Sequence, residues 1–213
     1  KPGEIKILVN KYLSGLRGEK APEIKAPAVE PSAKTVRETR KFEQAYVMFG
    51  FLCPPVTGED FIRLKILDVY LGGGMSSLLF QELREKGGLG YEVHSFYQGR
   101  RYQSPFVVYI GLDQKSIPKA KEKIRALLED IKNKPADAQK IEEAKNYLEG
   151  VYLLDHQSSD RQGWYLGRWE TLGKGYDYDK KYISDLKKVT PQDVMNVAKK
   201  YLTENERTRM RRK

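Results

Sequence analysis

Cysteine and histidine are scarce in this sequence of 213 residues. It contains one cysteine, Cys53, and two histidines, His94 and His156, which lie far apart. One thiol excludes an internal disulfide framework and any site built from several thiolates. A catalytic zinc site needs three converging protein ligands, and two isolated histidines provide no pair on one helix face. We therefore predict no metal site in this sequence, a buried Cys53, a surface or cross-strand His94, and a locally hydrogen-bonded His156.

Long apolar runs are also absent. Charged residues interrupt every apolar stretch, and none approaches the ~20 consecutive apolar residues of a membrane-spanning helix. Hydrophobic residues make up 39% of the sequence and charged residues 32%, a balance typical of a soluble globular domain. There is no signal-peptide pattern, and the sequence opens at Lys1 without a methionine. We interpret it as part of a longer protein, whose compartment the sequence does not indicate.

The net charge of +10 is spread over the sequence. Basic and acidic residues are interleaved in helical stretches such as "KAKEKIRALLEDIKNK", which is typical of a solvated surface. Only "RTRMRRK" near the C-terminus is a cluster of one sign, and it fits a terminal segment, a strand edge or a tail for an anionic surface. No recognised nucleic-acid-binding motif surrounds this cluster, so we predict no nucleic-acid partner.

Three prolines mark a boundary between two parts of the sequence. Pro22, Pro27 and Pro31 lie in "KAPEIKAPAVEPSAKT" (Lys20 to Thr35), where proline disfavours a regular helix or a central strand. We predict that residues 1–34 comprise the end of a preceding domain, "EIKILVNKYLSGL", followed by this linker. Residues 35–213 then form the main domain.

The patterns of the main domain predict an α+β fold. "KFEQAYVMFGFLCPP" is typical of a strand buried on both faces toward its end, and "LGYEVHSFYQ" with "SPFVVYIGLD" indicates a hairpin. Apolar spacing and capping residues predict helices in "GEDFIRLKILDVYLGGG", "SSLLFQELREK" and "SIPKAKEKIRALLEDIKNK". One long helix or two follow over residues 136–173, and then two more, the last with Thr190 as N-cap and Pro191 as first residue. This order lacks the strict alternation of a doubly wound fold.

The stretch "GGGMSSLLFQELREKGGLGYEVHSFY" (residues 72–97) carries the strongest functional signal. A phosphate-binding loop is disfavoured, because a helix precedes the glycines and the lysine of a Walker loop is missing. From the residues alone, Gly72, Gly73 and Gly74 fit the end of one helix and a turn into the next.

The same stretch closely resembles the C-terminal-half signature of the pitrilysin or insulinase family of zinc peptidases, which includes the mitochondrial processing peptidases. A glycine-rich turn, a serine-led helix ending in Arg-Glu-Lys, and Gly-Leu-x-Tyr entering a strand are all present. The resemblance extends to the proline linker, the "QAYVMFGF" strand and the "VTPQDVMNVAKKYL" helix, and so to nearly the whole sequence. It implies a mixed sheet with helices packed on one face.

The resemblance also implies a function and site residues. It implies the substrate-binding, C-terminal half of a zinc metalloendopeptidase that cleaves peptides or unfolded protein segments, inactive alone. The inverted zinc motif His-x-x-Glu-His, and with it the zinc cofactor, belongs to a homologous half in the same protein or another subunit. Arg84 and Tyr91 match the arginine and tyrosine that hold the substrate backbone, where a hydrogen-bond donor stabilises negative charge developing on the attacked carbonyl. We predict these two as catalytic and substrate-binding residues, with Gly72, Gly73 and Gly74 as further substrate contacts.

Two other functions remain open at this point. One is a non-catalytic partner or scaffold subunit of the same fold, comparable to the glycine-rich subunit of the processing peptidase. The other is a nucleic-acid-binding module that uses the basic cluster, which would show strongly salt-dependent binding. The presence of Arg84 and Tyr91 favours the peptidase. Half of a two-part protein also exposes a partner-facing surface, so we expect the isolated chain to self-associate.

Overall fold

A computed structural model describes residues 1–16, 18, 34–39, 44–203 and 207–212. The predicted linker lies outside these residues except for Lys34 and Thr35, which begin a strand. The helices are α1 (Pro2–Leu13), α2 (Phe61–Gly72), α3 (Ile117–Asn133), α4 (Ala138–Asp155), α5 (Ser159–Leu172), α6 (Tyr178–Lys188) and α7 (Pro191–Tyr201). The strands are β1 (Lys34–Thr39), β2 (Ala45–Cys53), β3 (Glu92–Tyr97), β4 (Ser104–Leu112) and β5 (Arg207–Arg212).

Five strands form one mixed sheet in the order β1-β5-β2-β4-β3. β1 and β5 run parallel, and every other neighbouring pair is antiparallel. The hairpin of β3 and β4 was predicted from the sequence, and so was β2. The basic cluster "RTRMRRK" supplies β5, which lies inside the sheet and not at its edge. The α+β fold with a mixed sheet is therefore confirmed.

In the part of the chain that the structure describes, helices pack on one face of the sheet. In β2 the side chains alternate between buried and half-buried from Ala45 to Cys53, so the prediction that this strand becomes buried on both faces was wrong. Its buried side chains, including Val47 and Phe49, join a core with the inward residues of β4 and the apolar sides of α2, α3 and α7. Alternation of this kind is expected of a sheet with one covered face. Cys53 belongs to this core, and burial raises its pKa to about 12.

The outer edge of β3 is covered by α2. The Asp68 carboxylate accepts hydrogen bonds from the Ser95 hydroxyl (2.8 Å) and from the backbone N–H of Tyr97 (2.9 Å). The Lys65 ammonium donates to the Tyr97 carbonyl at 3.3 Å. Side chains of α2 thus bond the backbone N–H and C=O groups of Tyr97 at the edge of the sheet. These groups are therefore not available for pairing with another strand. Gly72, at the end of α2, permits the close approach: a Cβ there would lie 2.0 Å from the Ser95 nitrogen.

The remaining helices follow the capping signals. Thr190 and Asp193 form a reciprocal capping box at the start of α7, as the sequence predicted for Thr190. Residues 136–173 form two helices, and α5 ends at Gly173 in the left-handed conformation (φ 85°). Among the described residues, no helix combines the length and apolar character needed to span a membrane.

His156, at the end of α4, connects three helices. Its Nδ1 lies 2.7 Å from the Tyr152 carbonyl oxygen, which confirms the predicted local hydrogen bond. Its Nε2 lies 3.2 Å from Oδ1 of Asp179 on α6, an atom that also accepts from Nε1 of Trp169 on α5 at 2.9 Å. Both ring nitrogens of His156 therefore have hydrogen-bond partners within the helical layer.

Asp60 joins the start of α2 to the end of α7. Its carboxylate accepts hydrogen bonds from Arg63 (2.9 Å), Lys200 (2.7 Å) and the Tyr201 hydroxyl (2.8 Å). Burial raises the pKa of Asp60, but these donors outweigh that effect and hold the pKa below the ordinary value of 3.8. The ionised carboxylate thus stabilises the packing of these two helices.

We expect Asp60→Asn to lower the free energy of unfolding by about 1–2 kcal/mol at neutral pH, because a charged acceptor of three donors is lost. The folded-state pKa lies below the unfolded-state value, so this stabilisation is present above about pH 4 and is lost as the pH falls through the lowered pKa. Urea unfolding from neutral pH to about pH 2 measures the difference between the two proteins. Asp130→Asn, which alters an exposed pair with Lys134, is the control and should change little. A difference independent of pH would contradict the assigned role.

Candidate functional site

Arg84 and Tyr91 are brought together by a short π-helix and the turn that follows it. The π-helix spans Phe80–Glu85, and the chain then turns through Gly88, whose φ is 57°. The sequence predicted a helix over "SSLLFQELREK", and a helix is present over residues 78–85, π-helical from Phe80 on. The predicted capping by serine side chains was wrong. The Ser77 hydroxyl donates to the Gly74 carbonyl (2.6 Å) and caps no backbone N–H group.

A direct hydrogen bond connects the two predicted site residues. Nη1 of Arg84 donates to the carbonyl oxygen of Tyr91 at 2.8 Å. The same guanidinium lies over the Phe80 ring, 5.0 Å from its centroid. Within residues 44–203, no carboxylate forms an ion pair with Arg84, whereas the nearby Lys86 pairs with Glu82 at 2.6 Å. Arg84 is therefore oriented by its neighbours but keeps an uncompensated charge and further N–H donors.

Tyr91 presents its side chain to solvent from a fixed backbone. Its side chain is 60% exposed, while its backbone N–H donates to the Gly111 carbonyl at 2.9 Å. The preceding Gly90 packs tightly, because a Cβ there would lie 2.7 Å from the Ile110 side chain. An exposed phenol on an anchored backbone can donate a hydrogen bond to a bound molecule at small conformational cost.

The three glycines have different surroundings. Gly72 is buried against Ser95, and Gly73 ends α2 with a φ of −84°, donating its N–H to the Val69 carbonyl. Gly74 has a φ of 125° and open space where a Cβ would project. The helix end inferred from the glycines is thus observed, although the residue at its end is not left-handed. Contact of Gly72, Gly73 and Gly74 with a substrate stays a prediction.

Beside Tyr91, the uncovered face of the sheet carries a group of polar and aromatic side chains. The Tyr109 hydroxyl donates to Glu92 at 2.7 Å, and the His94 ring lies 5.6 Å from the Tyr109 ring across the strand pair. The Phe96 ring lies edge-on to the Tyr109 ring, with 6.2 Å between their centroids. Burial and the bond to Glu92 raise the pKa of Tyr109 to about 12, so its phenol keeps its proton.

The sequence analysis predicted His94 as a surface or cross-strand residue, which is confirmed. It did not include Tyr109 in the site. The alternation of Glu92, His94 and Phe96 was a usable signal, because side chains two apart lie on one face of a strand. Pairing with β4 then places Tyr109 opposite His94.

A metal centre is not found in the part of the chain that the structure describes. No group of three or more histidine, cysteine, aspartate or glutamate side chains there lies close enough to hold an ion. The His94 ring lies tilted against the Tyr109 ring, and His156 is hydrogen-bonded between helices, and neither belongs to a group of three possible ligands among the described residues. A catalytic zinc, which needs three such ligands, does not fit these residues.

Sequence comparison places the chain among peptidase domains. Residues 1–148 match the family described as "Peptidase M16 inactive domain". An uncharacterized zinc protease of Bacillus subtilis is 31% identical over 185 residues, which cover 85% of this chain and 45% of that protein. An uncharacterized zinc protease of Streptomyces coelicolor is 32% identical over 208 residues, covering 91% of this chain and 45% of its own length. The chain therefore spans about half the length of the curated relatives it matches.

Solved structures share the fold over essentially the whole chain. A protease from Helicobacter pylori superposes with a TM-score of 0.87 at 19% identity, covering 100% of this chain and 53% of the other. A peptidase M16 inactive domain from Pseudomonas fluorescens superposes with a TM-score of 0.88 at 19% identity, covering 99% and 51%. At this level of identity the likeness is one of fold.

Proposed function

Because this chain belongs to the peptidase M16 family, matching its inactive domain, we propose that it is the substrate-binding half of a zinc metalloendopeptidase. Its substrates are peptides or unfolded protein segments, and the zinc is held by a homologous half in the same protein or in another subunit. Two findings support this division of labour. The curated relatives are named zinc proteases and are about twice as long as their match to this chain, and no metal-binding group occurs among the described residues.

The hydrogen bond between Arg84 and Tyr91 is the observation that carries the proposal. It connects a guanidinium with unused donors to the backbone of a residue whose side chain is exposed. Peptide backbones offer carbonyl oxygens in extended geometry, and both side chains are donors. A zinc held by the other half would supply an activated water for attack on the scissile carbonyl. The role proposed for Tyr91 is to donate to the oxygen on which negative charge develops, while Arg84 holds the adjoining backbone carbonyls.

Reconstitution tests the function as a whole. The chain is expected to show no peptidase activity alone and to restore hydrolysis of an unfolded peptide when combined with a zinc-bearing half of a member of this family. The assembled protein should lose activity on dialysis against a chelator and regain it with zinc. Binding of the peptide without hydrolysis in the assembled protein would favour the non-catalytic scaffold.

Self-association of the isolated chain stays a prediction, to be measured by light scattering.

Removing the Arg84 side chain tests substrate binding. We expect Arg84→Ala in the assembled protein to raise KM on the order of tenfold with a smaller change in kcat, because charged donors to the substrate backbone are lost in ground and transition state alike. Steady-state kinetics with one fluorogenic peptide measure both constants. Lys86→Ala is the matched control, since it removes a neighbouring positive charge from an exposed position. An unchanged KM in a variant with a normal melting midpoint would remove Arg84 from the site.

A further inference from the structure

A concave surface lies at the opposite end of β3 from Tyr91. This groove, with a volume of about 690 Å³, is bounded by the β3–β4 turn (residues 98–103), by α4 and by α5. Tyr91 precedes the first residue of β3, whereas Tyr97, the last residue of the strand, lines the groove. A strand of six residues is about 20 Å long, so the groove is separate from the Arg84–Tyr91 site.

The groove is strongly basic. Its lining contains Lys65, Arg100, Arg101 and Arg168, against a single acidic side chain, Asp68. Lys65 is the cation nearest that acid, with its Nζ 4.0 Å from the carboxylate. Among the described residues, none of the three arginines forms an ion pair with a carboxylate. The arginine-lined part of the groove therefore carries uncompensated positive charge.

Two of these arginines are held in place by neutral partners. Arg168 donates to the Gln98 carbonyl at 3.3 Å, and its guanidinium lies 5.3 Å from the centroid of the Trp164 ring. Arg101 donates to the Thr171 carbonyl, also at 3.3 Å. These contacts connect the β3–β4 turn with α5, and both arginines line the groove. Each guanidinium has five N–H donors, of which the described residues use few.

The wall supplied by α4 is apolar. Leu148 and Val151 line it, and Val151 is 45% exposed although it is a large aliphatic residue. Trp164 on α5, which is 47% exposed, lines the same groove. Exposed apolar side chains next to oriented cations are typical of a binding surface that takes an apolar group and an anion together.

We propose that this groove is a docking site for a peptide segment that carries carboxylates next to a large apolar side chain. The carboxylates would accept hydrogen bonds from Arg101 and Arg168, and the apolar side chain would cover Val151 and Trp164. Charge complementarity identifies the occupant as acidic, and the exposed aliphatic side chain of Val151 offers it an apolar contact in the same groove. The groove also contains aromatic rings, among them the exposed Trp164, so a single-stranded nucleic acid is the competing occupant that the oligonucleotide in the test distinguishes. The site does not depend on the peptidase function, because it uses neither Arg84 nor Tyr91.

The protein contains its own probe for this test. Its two tryptophans, Trp164 and Trp169, both line the groove, so intrinsic fluorescence reports occupancy directly. The 213-residue chain is titrated with the peptide acetyl-Asp-Glu-Leu-Glu-Leu-Glu-amide, which has no free C-terminus. A second peptide, acetyl-Ala-Ala-Leu-Leu with a free C-terminus, offers a terminal carboxylate only. A lysine-for-acid version of the first peptide and a single-stranded thymidine oligonucleotide complete the set.

We expect a saturable fluorescence change with the acidic peptide, weaker binding at higher salt because exposed charges are screened, and no binding of the lysine peptide. Binding of the second peptide without binding of the acidic peptide would contradict the proposal, because the groove would then recognise a C-terminal carboxylate and not acidic side chains. Arg101→Gln combined with Arg168→Gln should weaken binding on the order of tenfold or more. Arg37→Gln is the matched control, since Arg37 is exposed on β1 at the opposite edge of the sheet.

A further variant tests the groove without changing either arginine, in case the double arginine variant does not fold. Val151→Asp leaves the arginine contacts intact at an exposed position and should repel the acidic peptide. Equal affinity of the parent, the double arginine variant and Val151→Asp would overturn the proposal. Tighter binding of the oligonucleotide than of the acidic peptide would overturn it as well.

Discussion

Tyr91→Phe in the assembled peptidase is expected to lower kcat by a factor on the order of 10²–10³, the cost of removing one donor to a developing oxyanion. The phenylalanine ring keeps the shape of the side chain, and the backbone N–H of Tyr91 still donates to Gly111. The Arg84 bond is also kept, because its acceptor is the Tyr91 carbonyl and not the phenol. The substitution therefore removes the O–H donor alone, and single-turnover kinetics measure the effect on the chemical step.

Tyr147→Phe provides the matched control. Tyr147 is an exposed tyrosine on α4, so loss of its hydroxyl should leave kcat unchanged. Circular dichroism and the melting midpoint must be the same for all three proteins. If Tyr91→Phe hydrolyses peptides at the parent rate, Tyr91 has no part in the transition state, and the stretch over residues 72–97 is a signature of the fold only.

Gly72→Ala is expected to destabilise the protein by about 3 kcal/mol or more, at the upper end of the cost of overpacking a core. The added Cβ would lie 2.0 Å from the Ser95 nitrogen and 2.7 Å from the His94 carbonyl carbon, both of which are backbone atoms. Neither a side-chain rotation nor a small local shift relieves such a contact, so α2 must move away from β3. That movement would stretch the hydrogen bonds from Ser95 and Tyr97 to Asp68. Urea unfolding measures the loss.

Gly163→Ala is the control for the change in residue type. Gly163 lies within α5 and has no atom within 4 Å of the position of an added Cβ. Alanine there should raise stability by about 0.5–1 kcal/mol, because glycine costs that much in a helix interior. If the two substitutions changed stability equally, the contact of Gly72 with Ser95 would have no special importance.

The periodic elements of the fold could be predicted from the sequence, because an apolar face of a helix or strand leaves its spacing in the residues. α2, α3 and β2 are of this kind. β1 and β5 are not, since "KTVRET" and "RTRMRR" lack the apolar alternation of a half-buried strand. Their pairing joins residues far apart in the chain, which no local pattern records. The helix α2 could therefore be predicted from the sequence, while the order of strands in the sheet could not.

The candidate site shows the same division. Arg84 and Tyr91 were selected by a family motif, and the structure adds that one donates to the backbone of the other. Spacing alone could not indicate that bond, because it depends on a π-helix and a left-handed glycine between them. The basic groove could not be predicted either. Arg101 and Arg168 come from different elements and meet only when α5 packs beside the β3–β4 turn.

The position of β5 has a consequence for the order of folding. Among the described residues, β1 pairs with β5 alone. Arg207 of β5 lies opposite Lys34 of β1, and Arg211 of β5 lies opposite Tyr46 of β2 on the other side. During synthesis β2, β3, β4 and all the helices emerge before β5, so β1 has no partner strand until residues 207–212 are available. Loop-closure entropy makes such a long-range pairing slow. A nascent chain paused before residue 207 would thus hold a three-stranded sheet whose β2 edge is open to incorrect partners, including β1 itself.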